Sequence, residues 1–94
     1  MRIDLFVSPT CPGCPSAREV VERFARARRD VEIHEWDLSR DPGPAVGRGI
    51  FATPTVLLDG VHVLIGVPEP SDLEEHRNPG RIRRPSKSLN GSGQ

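Results

Sequence analysis

The sequence predicts an α/β domain: a βαβ unit, then a short helix, a β-hairpin and a short C-terminal helix, arranged around a four-stranded mixed sheet. Three observations carry this. Residues 2–38 read as strand, helix, strand, and such a unit closes with its two strands parallel and its crossover right-handed. Two later apolar runs are separated by two residues, Asp59-Gly60, a strong hairpin signal of the type I′ kind that adds an antiparallel pair. The chain's 2 cysteines, Cys11 and Cys14, fall where the first strand gives way to the helix.

Ile3, Leu5, Phe6 and Val7 are too continuously apolar for a half-exposed strand, so residues 2–7 read as buried. Ser8-Pro9-Thr10 ends that strand. With Cys11 as the helix N-cap, Pro12 falls at the first helical position and Pro15 at the fourth, where neither needs an intrahelical amide. The Cys11 sulfur would then accept from the amides of Gly13 and Cys14, as a capping oxygen does. From Ser16 to about Arg29, Ala17, Val20, Val21, Phe24 and Ala27 or Arg28 recur at three- and four-residue steps, a core-facing stripe. Glu19 with Arg23 and Glu22 with Arg26 make favourable i, i+4 pairs on the other face. Arg28-Arg29 complements the helix dipole.

Val31 to Leu38 is the second strand, its alternation slipping at Glu35-Trp36, with Trp36 read as core. Ser39 to Gly49 is rich in proline and glycine and allows at most one or two turns over Pro44 to Arg48, with Gly49 as C-terminal cap. Ile50 to Leu58 and Val61 to Ile65 are the hairpin arms, and Pro54 stands at the start of the first one, where a proline is tolerated. Gly66-Val67-Pro68-Glu69-Pro70 is a turn. Ser71 and Glu74 match a capping box, opening a short helix that Asn78-Pro79-Gly80 stops. Residues 1–77 therefore read as one domain. Residues 78–94, basic and Gly/Ser-containing, read as a disordered tail.

With 94 residues, 35% hydrophobic and 28% charged, the chain is one small domain of ordinary balance. No run of about 18 apolar residues exists, so no membrane helix is expected. The net charge of +0 hides an asymmetry: residues 1–75 carry 8 arginines against 13 acids, and residues 76–94 carry 4 arginines and a lysine against none. No aromatic residue interleaves the basic tail, which argues against nucleic acid as its partner. Met1-Arg2 leads straight into a strand without a signal-peptide pattern. A cytoplasmic location is expected. There a lone Cys-x-x-Cys is more often redox or metal chemistry than a structural staple.

Helix N-terminal amides lack intrahelical partners and point at whatever anion lies there. A thiolate at that point is stabilised, and the Cys11 pKa falls below the ordinary cysteine range. Cys14, about one turn on, is at a spacing that suits a short-loop disulfide, and faces inward as the poorer nucleophile. Three readings of the pair follow: a redox dithiol, half of a metal site, or a structural disulfide. Zinc takes four ligands, usually Cys or His, and only His34, His62 and His76 remain, none near in sequence. A disulfide closing so short a loop gives little entropic stabilisation.

Ser8-Pro9-Thr10-Cys11-Pro12-Gly13-Cys14-Pro15, then Gly49-Ile50-Phe51-Ala52-Thr53-Pro54-Thr55, then Asp59-Gly60 followed by Ile65-Gly66 form an ordered set. From Arg2 to about His76 the chain resembles the thioredoxin/glutaredoxin superfamily, and in particular the small archaeal and bacterial thioredoxin-like proteins. The resemblance implies a thioredoxin-like fold and a thiol–disulfide oxidoreductase that reduces protein disulfides. Cys11 would attack and Cys14 would resolve. Pro54 would follow a cis bond, packed against the cysteine pair; Thr53 would pair through its backbone with an extended substrate segment, and Pro12, Gly13 and Gly66 would lie beside that segment. No cofactor beyond the Cys11–Cys14 disulfide and no metal is implied. The partners would be protein disulfides and an electron donor, a thioredoxin reductase or another, acting on a monomer. A glutaredoxin-like or dedicated redox-partner protein is the alternative, and beyond it a non-catalytic metal-binding or structural-disulfide module. The chain departs from thioredoxins in carrying Thr10 for a tryptophan, Pro12-Gly13 for Gly-Pro, and Leu5 where they bury an aspartate; Asp4 is adjacent but should face elsewhere. It also lacks the tyrosine before the second cysteine and the glutathione-binding groups of glutaredoxins. The short last helix leaves one sheet face thinly covered, a candidate partner surface.

Overall fold

A computed structural model describes residues 1–78. The elements run β1 (Arg2–Val7), α1 (Cys14–Arg26), β2 (Glu32–Asp37), a 3-10 turn (Gly43–Ala45), β3 (Thr55–Leu58), β4 (His62–Ile65) and α2 (Pro70–Arg77). The sheet order is β2-β1-β3-β4. β1 lies parallel to β2, with Ile3 opposite Ile33, and antiparallel to β3, with Leu5 opposite Val56. β4 completes the mixed four-stranded sheet as its edge.

β1 is central and covered on both sides, which is why its apolar run is unbroken. Ile3, Leu5 and Val7 pack with Val56 and Leu58 beneath Ala17, Val21 and Phe24 of α1 and Leu73 of α2. On the other face Phe6 and Leu57 meet Ala45 and Ile50, with Trp36 and Leu38 alongside. Arg28 fastens α2 to α1. Its guanidinium sits 3.9 Å over the Phe24 ring and reaches Glu74 Oε1 at 2.6 Å. Its other nitrogen donates to the Phe24 carbonyl.

Asp4 is 2% exposed and a buried carboxylate needs partners. Arg2 Nε donates to both of its oxygens, at 3.2 and 3.1 Å, and Trp36 Nε1 donates at 2.9 Å. Side chains alternate along β1, so Asp4 and Phe6 point away from the α1 face, as expected for Asp4.

Several boundaries differ from expectation. Gly13, not Cys11, is the N-cap of α1. Pro15 has no amide to offer, and Ala17 N–H donates to Gly13 O at 3.0 Å. The Cys14 amide goes to the Cys11 carbonyl at 3.3 Å rather than to its sulfur. The 3-10 turn starts at Gly43, ahead of the expected Pro44 to Arg48, because Gly43 at φ 51° lets the chain fold under the Trp36 indole. The first hairpin arm is strand only from Thr55, and Leu58 faces His62, so Val61 joins Asp59 and Gly60 in the connection. Asp59 and Gly60 keep the positive φ of a type I′ turn, 52° and 73°. α2 is capped by Glu69, whose amide donates to Asp72 Oδ2 at 3.1 Å. Pro70 suits the first helical position, and that moves the capping box two residues ahead of Ser71 and Glu74. The thinly covered face is not the one beneath α2 but the opposite one, where a single 3-10 turn is the only helical cover among the described residues. The expected tail lies outside the described residues apart from Asn78, the C-cap of α2. Among the described residues no helix is long and apolar enough to cross a membrane.

Candidate functional site

β1 ends at Val7, and two tight turns carry the chain into α1. Cys11 N–H donates to Ser8 O, and Cys14 N–H to Cys11 O, each at 3.3 Å. Cys11 and Cys14 form a disulfide with a Cα–Cα distance of 5.4 Å. The two sulfurs are not equivalent. Cys14 is 3% exposed and belongs to the core between the sheet and α1. Cys11 is half-buried at the rim of that core, and Pro12 beside it is exposed.

The second limb of the site arrives from about 40 residues later. The Thr53–Pro54 bond is cis and Pro54 is buried. Gly13 lies against this ring: a Cβ on it would stand 3.4 Å from Pro54 Cδ and 3.5 Å from Val67 Cγ2. Pro54 O accepts from Gly66 N–H at 2.8 Å. Gly66 has φ 93°, and the space where its side chain would project is open. Ser8 Oγ and Thr53 Oγ1 are 3.1 Å apart, and Thr55 Oγ1 donates to Ala52 O at 2.7 Å. The structure thus brings Cys11, Pro12, Gly13, Cys14, Thr53, Pro54 and Gly66 to one end of the sheet.

The electrostatics of this end come mainly from α1. Its first turn holds no acidic residue and its last turn holds Arg23 and Arg26, so the positive end of the helix dipole at Cys14 is not offset. The hydrogen-bonding groups knitted into the two limbs are backbone amides, carbonyls and the hydroxyls of Ser8, Thr53 and Thr55. Farther along, Arg18 grips Glu35 through two bonds of 2.9 and 2.8 Å; that pairing raises the Arg18 pKa. Among the described residues, no three His, Cys, Asp or Glu side chains converge as metal ligands would. His34 pairs with Glu32. His62 and His76 meet edge to face beside Asp59, at the end of the sheet remote from the cysteines.

Two features escape a reading of the residues alone. The Ser8–Thr53 contact joins hydroxyls 45 residues apart, and only the pairing of β1 with β3 brings their flanks together. Phe51 lies in an apolar run that reads as a strand, yet it is 89% exposed.

The thioredoxin domain family matches residues 1–77. The thioredoxin of Methanocaldococcus jannaschii is 40% identical over 76 residues, which is 80% of this chain and 89% of that protein. A probable thioredoxin of Methanothermobacter thermautotrophicus is 34% identical over 79 residues, 83% of this chain and 93% of its own length. Among solved structures, mitochondrial thioredoxin 3 from Saccharomyces cerevisiae in its oxidised form superposes with a TM-score of 0.67 at 25% identity, covering 80% of this chain and 74% of that one.

Proposed function

This chain belongs to the thioredoxin domain family and is a thiol–disulfide oxidoreductase, and from that premise we propose that it reduces the disulfides of other proteins, with Cys11 attacking and Cys14 resolving. The observation that carries this assignment of roles is the unequal burial of the two sulfurs at the start of α1: Cys11 is half-buried at the rim and Cys14 is enclosed.

In the dithiol form the Cys11 thiolate, favoured by the end of α1, attacks one sulfur of the partner disulfide. That S–S bond breaks, and the partner's other sulfur leaves as a thiolate and takes a proton. A mixed disulfide joins Cys11 to the partner. Cys14 then gives up its proton and attacks the Cys11 sulfur, the partner's second thiolate leaves, and the Cys11–Cys14 disulfide forms. Two electrons pass from the cysteine pair to the partner, so the cycle calls on no further cofactor. A dithiol donor, of the thioredoxin-reductase type or another, restores the reduced pair. The partner chain lies extended across Thr53 and Pro54, passing Pro12 and Gly13 on one side. The open space at Gly66 admits its backbone. The protein acts as a monomer in the cytoplasm.

The test is reduction of insulin disulfides with dithiothreitol as donor. The wild-type protein should accelerate the reaction and Cys11→Ser should not. Cys14→Ser should accumulate a mixed disulfide that dithiothreitol releases. A Cys11→Ser variant as fast as wild type would overturn the assignment of roles.

A further inference from the structure

A pair of opposite charges stands beside the buried cysteine. Ile33 packs against the α1-side core, and side chains alternate along a strand, so Glu35 lies on that face too. It stands opposite Leu5, which shares a cluster with Cys14. Arg18 comes from α1, four residues after Cys14. Side chains so spaced lie on one helix face with about 5–6 Å between their Cβ atoms, and a helical side chain leans toward the N-terminus, here toward Cys14. Arg18 Nε and Nη2 donate to the two carboxylate oxygens of Glu35 at 2.9 and 2.8 Å, a fork that fixes both groups. The two side chains are 38% and 40% exposed, and an ion pair so exposed contributes little to stability. Its charges remain to be accounted for.

The neighbouring elements bring little else that is charged to this end. β1 and β3 present Leu5, Val7 and Val56. Asp37, next along the same face of β2, is turned to Ser39 and accepts from its amide and its hydroxyl. α2 brings Leu73, and its Glu74 is held by Arg28 farther along α1. The first turn of α1 holds no acid, and Glu22 lies one turn beyond Arg18, on which it acts. We propose that Arg18 and Glu35 set the rate of the resolving step: Arg18 favours the Cys14 thiolate that attacks the mixed disulfide, Glu35 opposes it, and the bridge holds the two in balance. Both are positioning residues that act through Cys14. In that step Cys14 loses its proton to water, its thiolate bonds to the Cys11 sulfur, and the partner's sulfur leaves as a thiolate. The pair changes how much Cys14 thiolate is present, not which bonds form. This rests on the reading of Cys14 as the resolving cysteine.

The experiment is a stopped-flow reaction of the reduced protein with excess dithiobis(nitrobenzoate), followed as a function of pH. Cys11 attacks the reagent and releases one coloured thionitrobenzoate. Cys14 then attacks the mixed disulfide and releases the other, in a second phase whose rate does not depend on reagent concentration. On the acid limb, where the thiolate is the minor form, Glu35→Gln should speed the second phase about twofold and Arg18→Gln should slow it by as much. A unit charge about 6 Å away through a largely aqueous path changes the thiolate population about threefold, and the weaker nucleophilicity of a less basic thiolate takes back part of that. The double variant should return to the wild-type rate. A merely structural bridge predicts another pattern: each single variant loses the same contact, so both move the second phase in one direction and lower the urea midpoint alike. Single variants displaced in the same direction, or not displaced at all, overturn the proposal. The roles of the cysteines are read separately, since Cys14→Ser should show the first phase alone. A second phase that survives in Cys14→Ser overturns the reading of Cys14 as the resolving cysteine, and the proposal with it. A second phase lost in Cys14→Ser but unmoved in both charge variants overturns the proposal and leaves that reading in place.

Discussion

Ser8 Oγ lies 3.1 Å from Thr53 Oγ1, a direct tie between the turn that presents Cys11 and the residue that precedes Pro54. The two limbs of the site otherwise meet through Gly13 packed on Pro54 and through the sheet itself. A part-buried hydrogen bond of this kind stabilises by about 1 kcal/mol, and removing one partner leaves the other without its mate. Ser8→Ala and Thr53→Val should each cost about 1 kcal/mol in urea unfolding. The double variant should cost less than the sum of the two, a coupling of about 0.5–1 kcal/mol. Additive costs would show that the contact carries no energy.

The cover of the second sheet face depends on one glycine. Gly43 has φ 51°, and a Cβ there would stand 2.5 Å from Trp36 Cε3. Left-handed backbone costs a residue with a side chain about 1–2 kcal/mol, and displacing a packed indole adds about 1–3 kcal/mol. Gly43→Ala should therefore destabilise by about 2–5 kcal/mol and alter Trp36 fluorescence in the folded state. An unchanged urea midpoint would mean that the indole moves aside freely.

Asp59 links three elements at the far end of the sheet. Its carboxylate accepts from the Arg2 amide at 2.8 Å and lies 2.9 Å from His76 Nε2. The Arg2 amide first, and then His76, hold its pKa below the ordinary aspartate value. A depressed folded-state pKa gives stability that is present above the unfolded value and lost as the pH falls through the folded one. That window lies below about pH 4. Asp59→Asn should flatten the acid limb of the stability curve there, followed by thermal unfolding in steps of pH. An identical acid limb would exclude Asp59 as a contributor.

The strands of this fold are legible in the sequence because burial on both faces of β1 demands an unbroken apolar run, and because Asp59 and Gly60 are residue types that tolerate positive φ. The cysteine site is legible for a similar reason: few contexts place Cys11 and Cys14 between a strand and a helix with Thr53-Pro54 ahead of a hairpin. The start of α1 is not fixed at that level, since Pro12 and Pro15 are compatible with a cap at Cys11 or at Gly13, and only the hydrogen bond from Ala17 to Gly13 decides. Ser71 and Glu69 compete in the same way for the cap of α2, and Pro70 favours Glu69. Phe51 shows the deeper limit. Residue type reports what a side chain could bury, whereas exposure depends on which segments happen to cover it.

Asp4 and Leu5 offer the sharpest test of how the site manages protons. Leu5 lies on the α1 face with Cys14, and Asp4 is turned to the other face, held by Arg2 and Trp36. If geometry governs, Asp4 contributes to folding and takes no part in proton transfer at Cys14. Asp4→Asn keeps an oxygen for the Trp36 donor but loses the charge that Arg2 grips, at a cost of about 1–3 kcal/mol for a buried charged hydrogen bond. The variant should unfold at lower urea and show altered Trp36 emission, while the pH profile of insulin reduction stays where the wild type has it. Asp4→Asn removes a carboxylate that could otherwise serve as a base, so a shift of that profile, with the fold intact, would mean that the Asp4 charge is felt through the sheet at Cys11 and Cys14. An unmoved profile would leave the end of α1 and solvent to handle the proton that Cys14 gives up.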